Sequence, residues 1–284
     1  MHLDTTIDEA VVEPRSTTAG RARIRVARGE TGRSVVTEAY ATSPLRLLMP
    51  RNAGAGAWVY LSSYGGGLVT GDQLTLDVVV ERGATALLAT QASTKVYRSA
   101  TDTSSELHAR VEGDGVLAVV PDPIVCFAGS RYRQRQVFEV SEDGGLAVVD
   151  CVSAGRHARG ERWAFDSYVS TLQVRVAGRL RLHDATRLQQ DELSIQDRMG
   201  RFDAMALVLL LGPPFRRRAE ALVARHASRT VEHRLSMLTA ATPIADGCLI
   251  RIAATSVERT LGAIREHLDV LPALLGDDPW ARKW

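Results

Sequence analysis

Alternation of apolar and polar residues dominates the first two thirds of the chain. Leu74, Leu76, Val78 and Val80 alternate with Thr75, Asp77, Val79 and Glu81, which predicts a strand with one apolar face. Leu107, Ala109 and Val111 alternate with Glu106, His108, Arg110 and Glu112, the pattern of a half-buried antiparallel strand. Tyr132, Gln134 and Gln136 alternate with Arg131, Arg133 and Arg135 and lead into Phe138 and Val140. Val174 and Val176 run through Ala177-Gly178 into Leu180 and Leu182, which predicts a hairpin. Turn signals separate these runs at Glu112-Gly113-Asp114-Gly115, Pro121-Asp122-Pro123 and Glu142-Asp143-Gly144-Gly145. Many short strands with Gly/Asp turns predict a mainly β, layered antiparallel or mixed structure.

A helical period appears only in the C-terminal third, where two helices are expected. Pro213-Pro214 opens an amphipathic segment to about Arg229, with Leu222, Val223 and His226 on one face and Arg216, Arg217, Arg218 and Arg225 solvated. A second helix begins near Thr255, where Thr255 and Glu258 have capping-box spacing, and carries a stripe of Val257, Leu261, Ile264, Leu268 and Leu271. Between them, residues 248–253 read as a buried strand. Residues 1–20 are polar and aperiodic, a loose tail; residues 21–284 read as one domain without linker or internal repeat.

Composition narrows the class. With 284 residues, 45% hydrophobic and 24% charged, the chain can bury a core without staples. A formal charge of +2 argues for no particular partner. Cys126, Cys151 and Cys248 are odd in number and far apart, which suits free thiols in a reducing compartment. The acidic N-terminal segment does not resemble a signal peptide, and the apolar run 204–211 is far short of a membrane span. A cytoplasmic protein is the expectation.

The most distinctive stretch is Ser62 to Arg98. It holds Gly65, Gly66, Gly67 and Gly71, then Asp72, and later Thr90-Gln91-Ala92-Ser93-Thr94-Lys95-Val96-Tyr97-Arg98. Gly66 and Gly71 have P-loop spacing, but Asp72 stands where that loop needs Lys, and a carboxylate there repels phosphate. A tight turn with positive φ is the plain reading of these glycines. Lys95 and Arg98 could bind an anion, but on the residues alone a wet loop or edge strand is the preferred reading.

Taken together these residues resemble the signature of the urease accessory proteins of the D type: a GGGLxxGD block followed by TTQAxTKVYR, with Ala89 and Ser93 as mild departures. Two further blocks keep the family's order. Pro121, Pro123, Phe127, Tyr132 and Gln134 match one, and Arg156, Arg159, Gly160, Glu161 and Phe165 the other. The resemblance spans about half the chain; beyond it only the succession of strand, helix and a tail with Trp280 and Trp284 agrees. It implies a largely β fold and a non-enzymatic maturation factor. Its partners would be an accessory protein of the F type, a GTPase of the G type and the urease apoprotein, with nickel delivered to the urease active site. On this reading Asp72 braces its turn near a partner-facing surface, and Arg156 pairs with Glu161 or an acidic partner.

Metal ligation has no motif behind it. There is no CxxC or HExxH, and His108, His157, His183, His226, His233 and His267 are scattered. No tightly bound cofactor is expected, at most transient nickel held by inward-facing carboxylates. Glu139, Asp150 and Glu161 are the candidates, against the plainer role of pairing with arginines. No G-x-S-x-G elbow marks a nucleophile. The arginine runs 131–135 and 216–218 offer an alternative function in nucleic-acid binding. Aromatic content of 5% and near-neutral charge weigh against it.

Overall fold

A computed structural model describes residues 19–156, 159–228 and 234–281. Seventeen strands form two stacked sheets among these residues. Sheet one contains β1 (Ala19–Arg28), β2 (Ser34–Ala41), β5 (Gln73–Val80), β8 (Thr103–Val111), β11 (Arg131–Val140), β13 (Ser167–Val176) and β14 (Arg179–Gln189), in the order β14-β13-β11-β8-β5-β1-β2. Sheet two contains β3 (Leu45–Leu48), β4 (Ala57–Ser63), β6 (Thr85–Thr90), β7 (Thr94–Val96), β9 (Val116–Val120), β10 (Ile124–Cys126), β12 (Gly145–Ser153), β15 (Ala204–Leu211), β16 (Met237–Ile244) and β17 (Gly247–Ala254). Its main path is β16-β17-β15-β12-β9-β6-β4-β3, and β10 joins β7 to the side of β12.

The centre of each sheet is parallel: β1, β5, β8, β11 and β13 in one, β4, β6, β9 and β12 in the other. This corrects the antiparallel expectation for Leu107–Val111, because β8 runs parallel to both neighbours. Half-burial of a strand suggests an antiparallel sheet only when parallel partners must be joined by covering helices. Here the crossover is itself a strand, lying in the opposite sheet. From β4 to β13 the chain winds as a flattened coil, one main-path strand per sheet in each circuit, with the short β7 and β10 lying in two of the return connections. Passages from sheet one to sheet two are tight turns at 81–84, 112–115 and 141–144, each closed by an N–H to C=O bond of 3.0–3.1 Å. Successive turns stack, with Glu112 N–H donating to Val80 O and Ser141 N–H to Val111 O, both at 2.9 Å. A structural repeat therefore exists where the residues show none.

Antiparallel pairs close the edges. The hairpin expected at Ala177-Gly178 joins β13 to β14, with both turn residues at positive φ. β15 is apolar throughout because it is buried on both faces, between the inter-sheet core and a layer of helices. That layer holds α2 (Arg216–Ala227) and α3 (Val257–His267), the two helices expected; α1 (Ile195–Met199) and α4 (Leu271–Leu275) are short additions. In α3 the cap is Ser256, whose side chain accepts from Arg259 N–H, one residue later than the Thr255 cap the spacing suggested. Its buried face includes Ile264 as expected, and also Thr260 and His267. Most of the expected tail, together with His157, His233 and Trp284, lies outside the described residues; Ala19 and Gly20 already belong to β1. No helix among the described residues is long and apolar enough to cross a membrane.

Candidate functional site

The return connections from sheet two to sheet one carry the sequence blocks singled out above. They are residues 64–72 after β4, 91–102 after β6, 121–130 after β9 and 154–166 after β12. Because each circuit adds one strand to each sheet, these segments stack at one end of the coil. An apolar cluster of Leu68, Val96, Ile124, Phe165 and Tyr168 lies beneath them.

Gly67 is the tightest point of that end. A Cβ there would lie 2.6 Å from the Tyr97 ring and 2.7 Å from the Lys95 carbonyl, so only glycine lets the first connection lie against β7. The contact continues as a parallel bridge, with Leu68 N–H donating to Lys95 O at 2.8 Å and Tyr97 N–H to Leu68 O at 2.9 Å. Gly65, Gly66 and Gly71 all take positive φ. Asp72 is buried and its carboxylate accepts Val69 N–H at 2.9 Å, the bracing role expected of it. Gln91, Lys95 and Arg98 are exposed, Arg98 lying against Gly129.

Three connections meet at one stack of side chains. The Tyr97 and Phe127 rings meet in a T-shaped contact (5.1 Å between centroids, planes at 84°), and the Arg156 guanidinium lies 3.9 Å from the Phe127 centroid. Glu161 pairs with Arg156 through both oxygens, Nε to Oε2 at 2.9 Å, and also accepts Ala128 N–H at 3.2 Å. The Arg156 bond holds the Glu161 carboxyl below its ordinary value, against the opposing effect of burial. The stabilisation is therefore present above about pH 4.5 and lost as the pH falls through the lower folded value. Glu161→Gln should flatten this part of the acid response, read as urea midpoints between about pH 5.5 and 3.

The interior holds a second polar group. Asp150 of β12 faces sheet one, where Tyr168 Oη donates to it at 2.9 Å and Ser170 Oγ also donates. Gln134 Nε2 donates to Ser170 Oγ at 3.1 Å, and Tyr132 Oη and Ser105 Oγ share a bond of 2.6 Å nearby. Burial pushes the Asp150 carboxyl up, and the bonds from Ser170, Tyr168 and Gln134 oppose that rise in part. Asp150 stands in the walls of two cavities. One, of 440 Å³, reaches toward Leu68, Lys95 and Gln136; the other, of 620 Å³, toward Met205, His226 and Arg251. Tyr168 and Ser170 were not singled out from sequence. Their signal is polar residues at the inward parity of an alternating strand, as with Gln134 and Gln136.

The other two carboxylates lie elsewhere. Glu139 is exposed on the outer face of sheet one beside Asp77, His108 and Arg110, which corrects its inward placement: it has the parity of the arginines in β11, not that of Phe138. Glu161 belongs to the loop-end stack. Arg131 and Arg133 point outward and pair with Asp166 at 3.2 Å and Asp102 at 3.4 Å. Among the described residues no three His, Cys, Asp or Glu side chains gather to hold a metal ion. All three thiols are buried, and burial pushes Cys126 up to about 12 and Cys248 to about 11, leaving neither as a thiolate near neutral pH.

Fold and site thus define a class: a flattened β-coil, braced by its own signature residues at one end and hollow on both sides of an interior carboxylate. The family model described as UreD urease accessory protein matches residues 18–284. The chain is 50% identical to the urease accessory protein UreD of Sorangium cellulosum, over 89% of its own length and 81% of the relative's. It is 44% identical to that of Anaeromyxobacter sp. (93% and 89% covered) and 33% identical to urease accessory protein D of Arabidopsis thaliana (88% and 96%). The chain belongs to the UreD family of urease accessory proteins.

Proposed function

We propose that this chain acts in urease maturation as a docking body and a passage for nickel. In this reading it binds the F-type accessory protein, helps to bring in the G-type GTPase, and docks on the urease apoprotein. Nickel(II) is cargo, passed through the interior to the active site of urease. The observation that supports the passage is Asp150, one carboxylate bordering two cavities. A carrier has to release its ion, and a single hard oxygen ligand with hydroxyl neighbours binds nickel far more weakly than a thiolate or imidazole cage. Asp150 is therefore the carboxylate assigned to the cargo. Glu161 is already engaged by Arg156, and Glu139 lies outside.

The docking surface we assign is the exposed part of the 64–72 connection together with the outer side of the C-terminal helices. Tyr64 and Val69 are 58% and 40% exposed on an end that Gly67 and Asp72 hold rigid. Truncation from Thr255 is a poor test of the helical part, because α3 and α4 cover Trp58, Ile250 and their neighbours in sheet two. A double Tyr64→Asp, Val69→Asp change is better. It should weaken capture of the F-type partner while leaving stability within about 0.5 kcal/mol, read by pull-down and thermal melting. Full capture would remove this connection from the surface. The reading as a whole is tested by co-expressing urease subunits and the other accessory proteins with and without this chain. Ureolysis and bound nickel should collapse without it; equal loading in its absence would end the proposal.

A further inference from the structure

Helices α2 and α3 meet through two histidines that the maturation reading does not use. His226, on the inner side of α2, is 9% exposed, and His267, in the last turn of α3, is 2% exposed. Their Nε2 atoms are 3.1 Å apart, their ring planes differ by 12°, and their centroids are 5.4 Å apart. With nearly parallel planes and centroids so much farther apart than the nitrogens, the rings meet nose to nose. Lone pairs on a shared metal would converge on a third point, whereas these point at each other, the geometry of a hydrogen bond.

The proton positions follow from one carbonyl. His267 Nδ1 bonds to Ala263 O, which can only accept, so Nδ1 carries a proton and Nε2 of the neutral ring is an acceptor. His226 Nε2–H must then be the donor. A further proton on His267 Nε2 would set two N–H groups against each other at 3.1 Å. The charged neighbours do not relieve this. On α2, Arg225 lies 3.5 Å from His267 Nε2, and Arg218 is close by. From α3 and the residues after it, Glu266 is engaged by Arg225 at 2.6 Å and Asp269 by Arg218 at 2.9 Å. The cavity that His226 borders holds Arg198, Arg251 and Asp150. Burial holds the His267 imidazole below its ordinary value; the Ala263 bond opposes this and Arg225 adds to it.

We infer that the His226–His267 pair is a proton-sensitive latch between α2 and α3, closed while His267 is neutral and opened when its Nε2 is protonated, which loosens the helical layer from sheet two. The sign follows from linkage. An opened His267 takes up a proton near its ordinary value of about 6.5, and the closed one does not, because its Nε2 accepts from His226. The closed form is therefore favoured above that pH and, for the one excluded proton, loses stability by a factor that approaches tenfold per pH unit well below it. This inference does not depend on the nickel reading.

The test uses the full chain. Imidazole ¹⁵N spectra at about pH 7.5 should show His267 protonated at Nδ1 and His226 at Nε2. The opposite tautomers, or a charged His267 ring, would overturn the latch. Hydrogen exchange of α2 and α3 amides, corrected for intrinsic rates, should show the opening equilibrium rising about fivefold between pH 6.5 and 5.5. In the double variant His226→Gln, His267→Gln that rise should vanish; an equal rise in both chains would refute the inference. If the variant fails to fold, the tautomer measurement on the native chain still decides.

Discussion

Replacing Gly67 by valine is expected to destabilise the chain by about 2–3 kcal/mol and, if the proposed maturation role holds, to abolish urease nickel loading in co-expression. The added carbons have nowhere to go. A Cβ alone would overlap the Tyr97 ring on one side and the Lys95 carbonyl on the other, and that carbonyl is fixed by Leu68 N–H. Relief requires the 64–72 connection to lift away from β7. That breaks the two bonds around Leu68 and withdraws Leu68 from the apolar cluster beneath the loop end. Gly262 of α3 provides the contrast, since a Cβ there meets nothing within 4 Å. Gly262→Ala should raise stability by up to about 1 kcal/mol, as alanine favours a helix over glycine. Urea unfolding of both variants measures the pair of effects. A Gly67→Val chain as stable as the native one would show that Tyr97 and β7 yield, and that the loop end is not locked.

On the proposed nickel passage, Asp150→Asn is expected to lower nickel transfer to urease by about tenfold or more while leaving the fold about as stable as before near neutral pH. Burial raises the carboxyl above its ordinary value, so the native state holds more protons than the unfolded state between that value and the raised one. Stability therefore declines as the pH rises through this window, and a neutral amide escapes the decline. The amide keeps an oxygen acceptor for only one of Tyr168 and Ser170, presents an NH2 donor to the other hydroxyl, and loses the charge that favours a cation. Melting curves and nickel analysis of co-expressed urease separate the two. Unchanged nickel loading would take Asp150 off the path. A joint fall in stability and loading would point to structural damage instead.

Alternation made much of the fold legible, because inward parity along β5, β11 and β13 is a local property of the chain. The direction in which strands pair is not. Val111 and Val140 occupy equivalent places in successive circuits, yet nothing in their neighbourhoods records that a strand of the other sheet intervenes. Asp72 could be assigned its turn because the glycines around it constrain the backbone within a few residues. The pairing of Arg156 with Glu161 was equally local, whereas the Phe127 ring beneath Arg156 comes from a different circuit. Glu139 was misplaced because acidity was weighed without parity. The His226–His267 contact joins residues on two helices separated by a hairpin, and no periodicity within either helix foretells it.

The alternating path has one more consequence. The two ends of the coil differ in how much change they tolerate. At one end the turns 81–84, 112–115 and 141–144 are short and bonded to one another, so an inserted residue would shift the registers of both sheets. At the other end the connections are longer, and extra residues there add to the surface without moving a strand. Insertions among homologous chains should therefore fall at the connection end, between the signature residues that hold it, rather than in the tight turns. A whole additional circuit of roughly thirty residues could lengthen the molecule by one strand in each sheet, leaving every existing pair intact on either side of the insertion.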